Sequence, residues 1–239
     1  MQVAQDRWAA IRQFVAHWHR PLAPEDGVLL EDILEAESWS DVPVPLALQE
    51  WYLLGGRRSD LNAALNYLLS PAQLEVSDEH LVFFVENQAV VRWGIRVSDL
   101  ARVDPPVYLD DDFSVPTAPP SHQWILENTM LSEFLLQMIM MHTLVRNSPS
   151  QEHCVSGCAE IDASTLEQIV TLFPRFELPL WHWPRYPTQF FGNDEILLMV
   201  DGSLWLWVVA QSASEWKQLE EHITVTWIDT SIPPKELSI

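Results

Sequence analysis

The segment DPPVYLDDD, residues 104–112, places three consecutive carboxylates after two prolines and an apolar triplet. Asp110, Asp111 and Asp112 could serve as a catalytic acid cluster, bind a hard cation, or form the exposed end of a strand. An EF-hand calcium loop that began at Asp110 would need glycine at its sixth position, where this chain has Val115. We therefore expect a solvated acidic loop after an edge strand, because proline lacks the N–H group that an interior strand donates.

A second group of candidate metal ligands surrounds the two cysteines of the chain: His153, Cys154, Cys158, Glu160 and Asp162. Structural zinc sites usually have four nitrogen or sulfur ligands, and the sequence has no second cysteine pair. The pattern therefore favours two free thiols in a flexible linker, and we predict no metal site.

Tryptophan and histidine alternate at two places, residues 17–19 and residues 181–183. The first trio continues a helical pattern and is expected to pack on an amphipathic helix. The second trio lies among prolines, where either packing or an exposed aromatic binding patch would fit. Packing is the preferred interpretation, and Trp181, Trp183 and Tyr186 are kept as candidate partner-binding residues.

The sequence lacks the motifs that would identify an enzyme. It contains no GxGxxG, GxxxxGK(S/T), HExxH or GxSxG pattern, and only seven glycines that could build a phosphate loop. No pair of base and nucleophile follows from residue spacing. We therefore predict a protein without catalytic residues, metal or cofactor, and a hydrolase that uses carboxylates is the alternative.

The charge of the chain restricts its partners. Its 239 residues include 34 acidic and 13 basic ones, which gives a formal charge of −21. Such a chain repels nucleic acid and anionic membranes and attracts cationic partners, although the charge could also serve solubility alone. A hydrophobic content of 48% argues against wholesale disorder.

The compartment is expected to be the cytoplasm. Two cysteines do not form a disulfide framework, and the first residues lack the basic start and apolar core of a signal peptide. The most apolar run, residues 131–145, is too short to span a bilayer and contains Glu133 and His142.

Hydrophobic periodicity predicts an α+β protein in two parts. Residues 1–146 are expected to form helices at 8–18, 28–34, 46–56 and 59–69, then strands at 81–86, 89–95, 107–109 and 124–126, and a buried helix at 131–145. A linker is predicted at 147–157. Residues 150–239 would form an α+β extension, either separate or packed as one domain with the first part.

Turn and cap residues define the elements of the extension. Ser164 and Ser212 each begin a capping-box pattern and predict helices to about 173 and 222. Asp201-Gly202 lies between two apolar runs and predicts a hairpin of interior strands. A last strand is expected at 223–228.

Four segments resemble the core of the SUKH superfamily, of the SMI/KNR type. They are LALQEWYLLGG at 46–56, LVFFVENQAVVRWGI at 81–95, DPPVYL at 104–109, and Trp124 followed by LSEFLLQMI at 131–139. They occur in the order of the family and span residues 30–146. The resemblance implies a mixed sheet with flanking helices and no catalysis.

The same resemblance implies a role in binding. Bacterial members are immunity proteins that bind and block a cognate toxin of a polymorphic or contact-dependent system, and fungal relatives are regulatory scaffolds. Toxins that are nucleases or deaminases have basic surfaces, which an acidic protein would be steered towards. Asp110, Asp111 and Asp112 are therefore candidate contacts to a basic toxin, and an interaction scaffold is the alternative function.

Overall fold

The computed structural model describes residues 6–40, 42–88, 90–111, 124–145, 154–181 and 187–231. Within these ranges the chain forms seven α-helices and eleven strands in two antiparallel sheets, and the predicted α+β class is confirmed. None of the helices described there combines the length and the apolar character that crossing a bilayer requires.

The helices and strands alternate along the chain. The helices are α1 (Ala9–Trp18), α2 (Leu30–Ser40), α3 (Leu46–Gly55), α4 (Ser59–Asn62), α5 (Leu131–Val145), α6 (Ala163–Leu172) and α7 (Ala213–His222). The strands are β1 (Asn66–Leu68), β2 (Glu75–Ser77), β3 (His80–Glu86), β4 (Val91–Arg96), β5 (Val107–Asp111), β6 (Trp124–Asn128), β7 (Val155–Glu160), β8 (Thr188–Gly192), β9 (Ile196–Asp201), β10 (Trp205–Ala210) and β11 (Trp227–Ser231). Short 3₁₀ turns occur at Pro24–Asp26, Pro71–Gln73 and Val97–Asp99.

The chain divides into two compact units. The first unit comprises residues up to 16 and 21–142, and the second comprises 17–20 and 143–239. Residues 147–153 of the predicted linker lie outside the described ranges, so each unit is treated by itself below.

The sheet of the first unit has the order β1-β3-β4-β5-β6, with β2 also paired to β3. Its inner face packs on α5, which is buried as its apolar sequence predicts. The ring of Phe134 on α5 lies 5.6 Å from Phe83, 5.8 Å from Phe84 and 5.9 Å from Trp93. These edge-on and tilted aromatic contacts form the centre of the core.

The sheet of the second unit has the order β11-β7-β10-β9-β8, so the predicted interior position of β9 and β10 is confirmed. One face packs on α6 and α7 through Ile169, Trp216 and Leu219. The rings of Trp216 and Trp227 lie 4.5 Å apart at the edge strand β11.

The hairpin between β9 and β10 has its turn one residue later than predicted. Gly202 and Ser203 both have φ of 59°, and Leu204 N–H donates to the Asp201 carbonyl at 3.1 Å. This is the type I′ geometry, which matches the twist of the two strands. The hairpin is confirmed, and serine rather than aspartate adopts the left-handed conformation.

The helix predicted at 59–69 is wrong. Only α4 is helical there, and residues 66–68 form β1, which pairs with β3. Asn62 ends the helix because its side chain accepts from Trp51 Nε1 at 3.0 Å and donates to the Gly55 carbonyl at 2.7 Å. Pairing in the sheet and this buried bond override the local helical pattern.

Three further sequence predictions were wrong. Residues 155–157 belong to the interior strand β7 and not to a linker, and the last strand begins at Trp227. Strand β5 lies between β4 and β6, so it is not an edge strand. Its two prolines precede Val107 and therefore leave its hydrogen bonds intact.

The two predicted helix caps had different outcomes. Ser212 caps α7 by accepting from the N–H groups of Ser214 and Glu215, as predicted. Helix α6 begins one residue before Ser164, and Asp162 caps it by accepting from the N–H of Thr165. Either residue type is a good N-cap, so the sequence pattern alone did not separate them.

Candidate functional site

The prolines of DPPVYLDDD follow an aspartate that anchors a helix. Asp104 accepts hydrogen bonds from Ser132 N at 3.1 Å and from Ser132 Oγ at 2.6 Å. This places a carboxylate at the N-terminus of α5, where the helix dipole favours negative charge. Burial and the nearby charge of Asp104 raise the pKa of Glu133 in the same turn.

The first of the three candidate aspartates is not at the surface. Asp110 is 1% exposed and forms an ion pair with Arg92 of the neighbouring strand, where the two residues are in register. Asp111 ends β5 opposite Val91. Asp112 lies outside the described residues. Asp110 therefore stabilises the sheet, and the expected exposed contact is wrong for this residue.

The outer face of the first sheet carries a row of three rings, Trp124, His80 and Tyr108, with an arginine at each end. Arg92 lies over the ring of Trp124 at 5.9 Å, and Trp124 stacks on His80 at 4.1 Å. His80 contacts the edge of Tyr108, and the guanidinium of Arg96 lies 4.5 Å from the centre of that ring. Cation–π contacts and Asp110 thus hold the two arginines on this face.

His80 is fixed at the end of a strained turn. Asp78 and Glu79 have φ of 48° and 60°, and His80 Nδ1 lies 2.7 Å from the Asp78 carbonyl. His80 Nε2 is buried and has no hydrogen-bond partner among the described residues. Burial, together with the charge of Arg96, lowers the pKa of His80. A Cβ on Gly94 would lie 2.9 Å from the Trp124 ring, so glycine is required beneath this stack.

In the second unit the expected aromatic contacts are only partly described. Trp181 is 2% exposed and its ring lies 6.2 Å from Phe190, which agrees with the preferred packing interpretation. Trp181 is therefore not an exposed contact. Trp183 and Tyr186 lie outside the described residues.

The two thiols are free, as predicted, but Cys158 lies in β7 and not in a linker. Burial raises the pKa of Cys154 to about 11 and also raises the pKa of Cys158. His153 lies outside the described residues. Within the described ranges, no three His, Cys, Asp or Glu side chains lie close enough together to hold a metal ion.

Helix α2 forms an acidic surface on the first unit. Residues 21–56 contain no lysine, arginine or histidine, and α2 exposes Glu31, Asp32 and Glu35. The same helix exposes Leu30 and Leu34, at 52% and 55% of their surface. These two leucines lie one helical turn apart and form an apolar patch beside the carboxylates of the same helix.

A groove of about 500 Å³ lies between α2 and the 3₁₀ turn Pro71–Gln73. We call it the α2 groove; its lining includes Val28, Asp32, Glu35, Ala36, Pro71 and Ala72. Asp32 and Glu35 are exposed and make no ion pair with any described residue. The groove thus combines an apolar floor with two carboxylates on its rim.

Sequence reasoning missed this groove and identified other residues. The absence of basic residues from 21 to 56 was readable in the sequence and could have marked α2. The groove itself depends on a contact between α2 and residues 70–74, which no local pattern encodes.

Comparisons with known proteins gave no relative. A scan of the chain against protein-family models found no match, and searches among curated proteins and among solved structures found none either. The resemblance to the SUKH superfamily therefore stays a prediction from the sequence.

Proposed function

We propose that this chain is a bacterial immunity protein of the SUKH type, which binds a basic protein toxin and blocks it without catalysis. One observation carries the proposal: α2 exposes three carboxylates and two leucines within a stretch of 36 residues, 21–56, that has no basic residue. The toxin would be of a polymorphic or contact-dependent system and of the nuclease or deaminase class.

The mechanism is occlusion. A surface that holds nucleic acid is rich in lysine and arginine, and a protein of charge −21 is attracted to it over the distance of a Debye length. Exposed leucines then contribute the desolvated contact that long-range attraction alone does not provide. Binding over the basic surface excludes the substrate, so no turnover by this chain is needed.

Co-expression in cells tests the proposal. The reading frames next to the gene are expressed singly, and any product that arrests growth is expressed again together with this chain. We expect one basic product to arrest growth and to be neutralised, and we expect the two proteins to form a stoichiometric complex that salt weakens. A chain that captures several unrelated partners and rescues nothing would instead be a scaffold, which is the alternative function.

A further inference from the structure

We propose that the α2 groove is the docking site for a polypeptide segment that carries an apolar residue next to arginine or lysine. The inference rests on the proposed function, since the segment would belong to the basic partner. The apolar side chain would lie on the floor formed by Ala36 and Pro71, and the cation would pair with Asp32 and Glu35.

The electrostatics of the groove select a cation. Asp32 and Glu35 lie three residues apart on α2, so both carboxylates project from the same side of the helix. The residues that form the opposite wall, Ser70, Pro71, Ala72 and Leu74, carry no positive charge themselves. A second copy of this chain is a poor occupant, since each copy has a charge of −21.

The floor of the groove favours an apolar side chain beside that cation. Ala36 and Pro71 are buried, whereas Ala72 is exposed at the rim. The volume of about 500 Å³ is within the range of sites that hold ligands. A segment with charge alone would leave the half-buried side chains of Val28 and Leu74, which also line the groove, in contact with water, so we expect both features to be required.

Both walls of the groove are held in place by one buried tyrosine. Tyr52 on α3 accepts at its carbonyl from Val28 N at 2.9 Å, and its hydroxyl donates to the Leu69 carbonyl at 2.6 Å. Burial raises the pKa of Tyr52 well above its ordinary value, so the hydroxyl stays protonated and can donate. The second wall is fixed further because Gln73 Oε1 accepts from Ser70 N and Ser70 Oγ. A groove with fixed walls loses little conformational entropy on binding.

The test uses the full chain and a fluorescein-labelled peptide of about 12 residues, which spans up to about 40 Å when extended. The peptide places two leucines between arginines. Two matched peptides replace the leucines with serine or the arginines with glutamate. Affinity is measured by fluorescence anisotropy. We expect the native chain to bind only the first peptide well, and more weakly as NaCl is added.

Charge variants distinguish the effect of the two groove carboxylates on affinity from the effect of the overall negative charge. Asp32→Asn with Glu35→Gln should weaken binding of the first peptide about 3- to 10-fold, since each exposed ion pair contributes modestly. The control is Glu220→Gln with Glu221→Gln, which removes the same charge from the exposed face of α7. This control should change affinity less than about 2-fold, because neither Glu220 nor Glu221 lines the groove.

A steric variant tests the groove without changing charge. Ala72→Trp fills the groove from its exposed rim and should weaken binding at least about 10-fold, whereas Ala10→Trp on the exposed face of α1 should not. Circular dichroism and the midpoint of thermal unfolding show whether both variants fold.

Several results would overturn the inference. The first is that the serine peptide binds as tightly as the leucine peptide. The second is that the α7 control weakens binding as much as Asp32→Asn with Glu35→Gln does. The third is that the native chain binds none of the peptides. Dimerisation of the native chain that Ala72→Trp abolishes would assign the groove to a second copy instead. If the native chain neutralises a toxin and Ala72→Trp neutralises it equally well, the groove is wrong and the proposed function stands. If the peptides bind as expected and no toxin is neutralised, the groove is a docking site and the proposed function is wrong.

Discussion

At the scale of single residues, Asp104 shows how one side chain connects two elements. It precedes β5 and accepts two hydrogen bonds from Ser132 at the start of α5. We expect Asp104→Ala to lower the free energy of unfolding by about 1 to 2 kcal/mol, because two donors at the helix N-terminus lose their acceptor. Urea unfolding followed by tryptophan fluorescence measures the change. Asp32→Asn, at an exposed position, is the control and should change stability little.

A second substitution at this position, Asp104→Asn, has a readout that a general loss of stability would not give. Burial is the first cause of the raised pKa of Glu133, and the charge of Asp104 is the second. In Asp104→Asn the pKa of Glu133 should therefore move down towards its ordinary value without reaching it. NMR titration of the Glu133 carboxyl carbon measures the shift, and an unchanged pKa would contradict this account.

His80 gives the first unit a dependence on pH. Its pKa is lowered from 6.5 by burial first, and then by Arg96, against the opposing effects of the Asp78 carbonyl and of Asp110. As pH falls below 6.5, the unfolded chain binds a proton at this residue that the folded chain does not. The free energy of unfolding should then fall by up to about 1.4 kcal/mol per pH unit until the folded pKa is reached.

A non-titrating ring at position 80 isolates this effect. His80→Phe keeps an aromatic ring for stacking on Trp124, and its stability should fall less than that of the native chain as the pH drops below 6.5. Equal slopes for the native chain and His80→Phe would show that His80 does not control this pH range.

At the scale of elements, the β9–β10 hairpin contains a correctable strain. Ser203 has φ of 59°, a conformation that glycine adopts without steric cost. We expect Ser203→Gly to raise the free energy of unfolding by about 0.5 to 1 kcal/mol, which is the relief of strain less the entropy that glycine adds to the unfolded chain. Ser203→Ala keeps a Cβ at this φ and should give no gain. Paired urea titrations compare the two variants.

The elements also show what the sequence could predict. Strands β3 and β4 and helix α5 were predicted closely, because each has an apolar pattern that matches its own burial. Strand β7 was missed because its residues 156–158 are serine, glycine and cysteine, which resemble a linker. Glycine is needed there since a Cβ on Gly157 would lie 2.6 Å from the Trp216 ring. That requirement comes from a helix about 60 residues away, and no local pattern contains it.

At the candidate site, too, composition could be read from the sequence, whereas contacts between residues far apart in the chain could not. The net charge and the acidic stretch around α2 are properties of composition, so the expected cationic partner could be argued from sequence. The burial of Asp110 could not be argued from the sequence, because it depends on an ion pair with Arg92 in the adjacent strand. The sequence therefore predicted the character of the surface better than its position.

At the scale of the whole molecule, the distribution of charge determines how salt acts. Several of the 13 basic residues are used in internal ion pairs, including Arg58 with Asp26 and Asp60, and Arg92 with Asp110. The remaining carboxylates, many of which are exposed, repel one another. This self-repulsion destabilises a compact chain. Raising NaCl from about 10 to 150 mM shortens the Debye length from about 30 to 8 Å and should relieve it.

We therefore expect the midpoint of thermal unfolding to rise over this salt range, while the affinity for a cationic partner or for the arginine–leucine peptide falls. The opposite signs matter because a partner lost by partial unfolding would be lost at low salt, not at high salt. Differential scanning calorimetry and anisotropy at the same salt concentrations measure the two trends. Glu220→Gln with Glu221→Gln should reduce the rise in the midpoint by lowering self-repulsion. A midpoint that stays flat or falls would mean that the surface carboxylates lie too far apart to repel one another, and the charge of −21 would then act on partners alone.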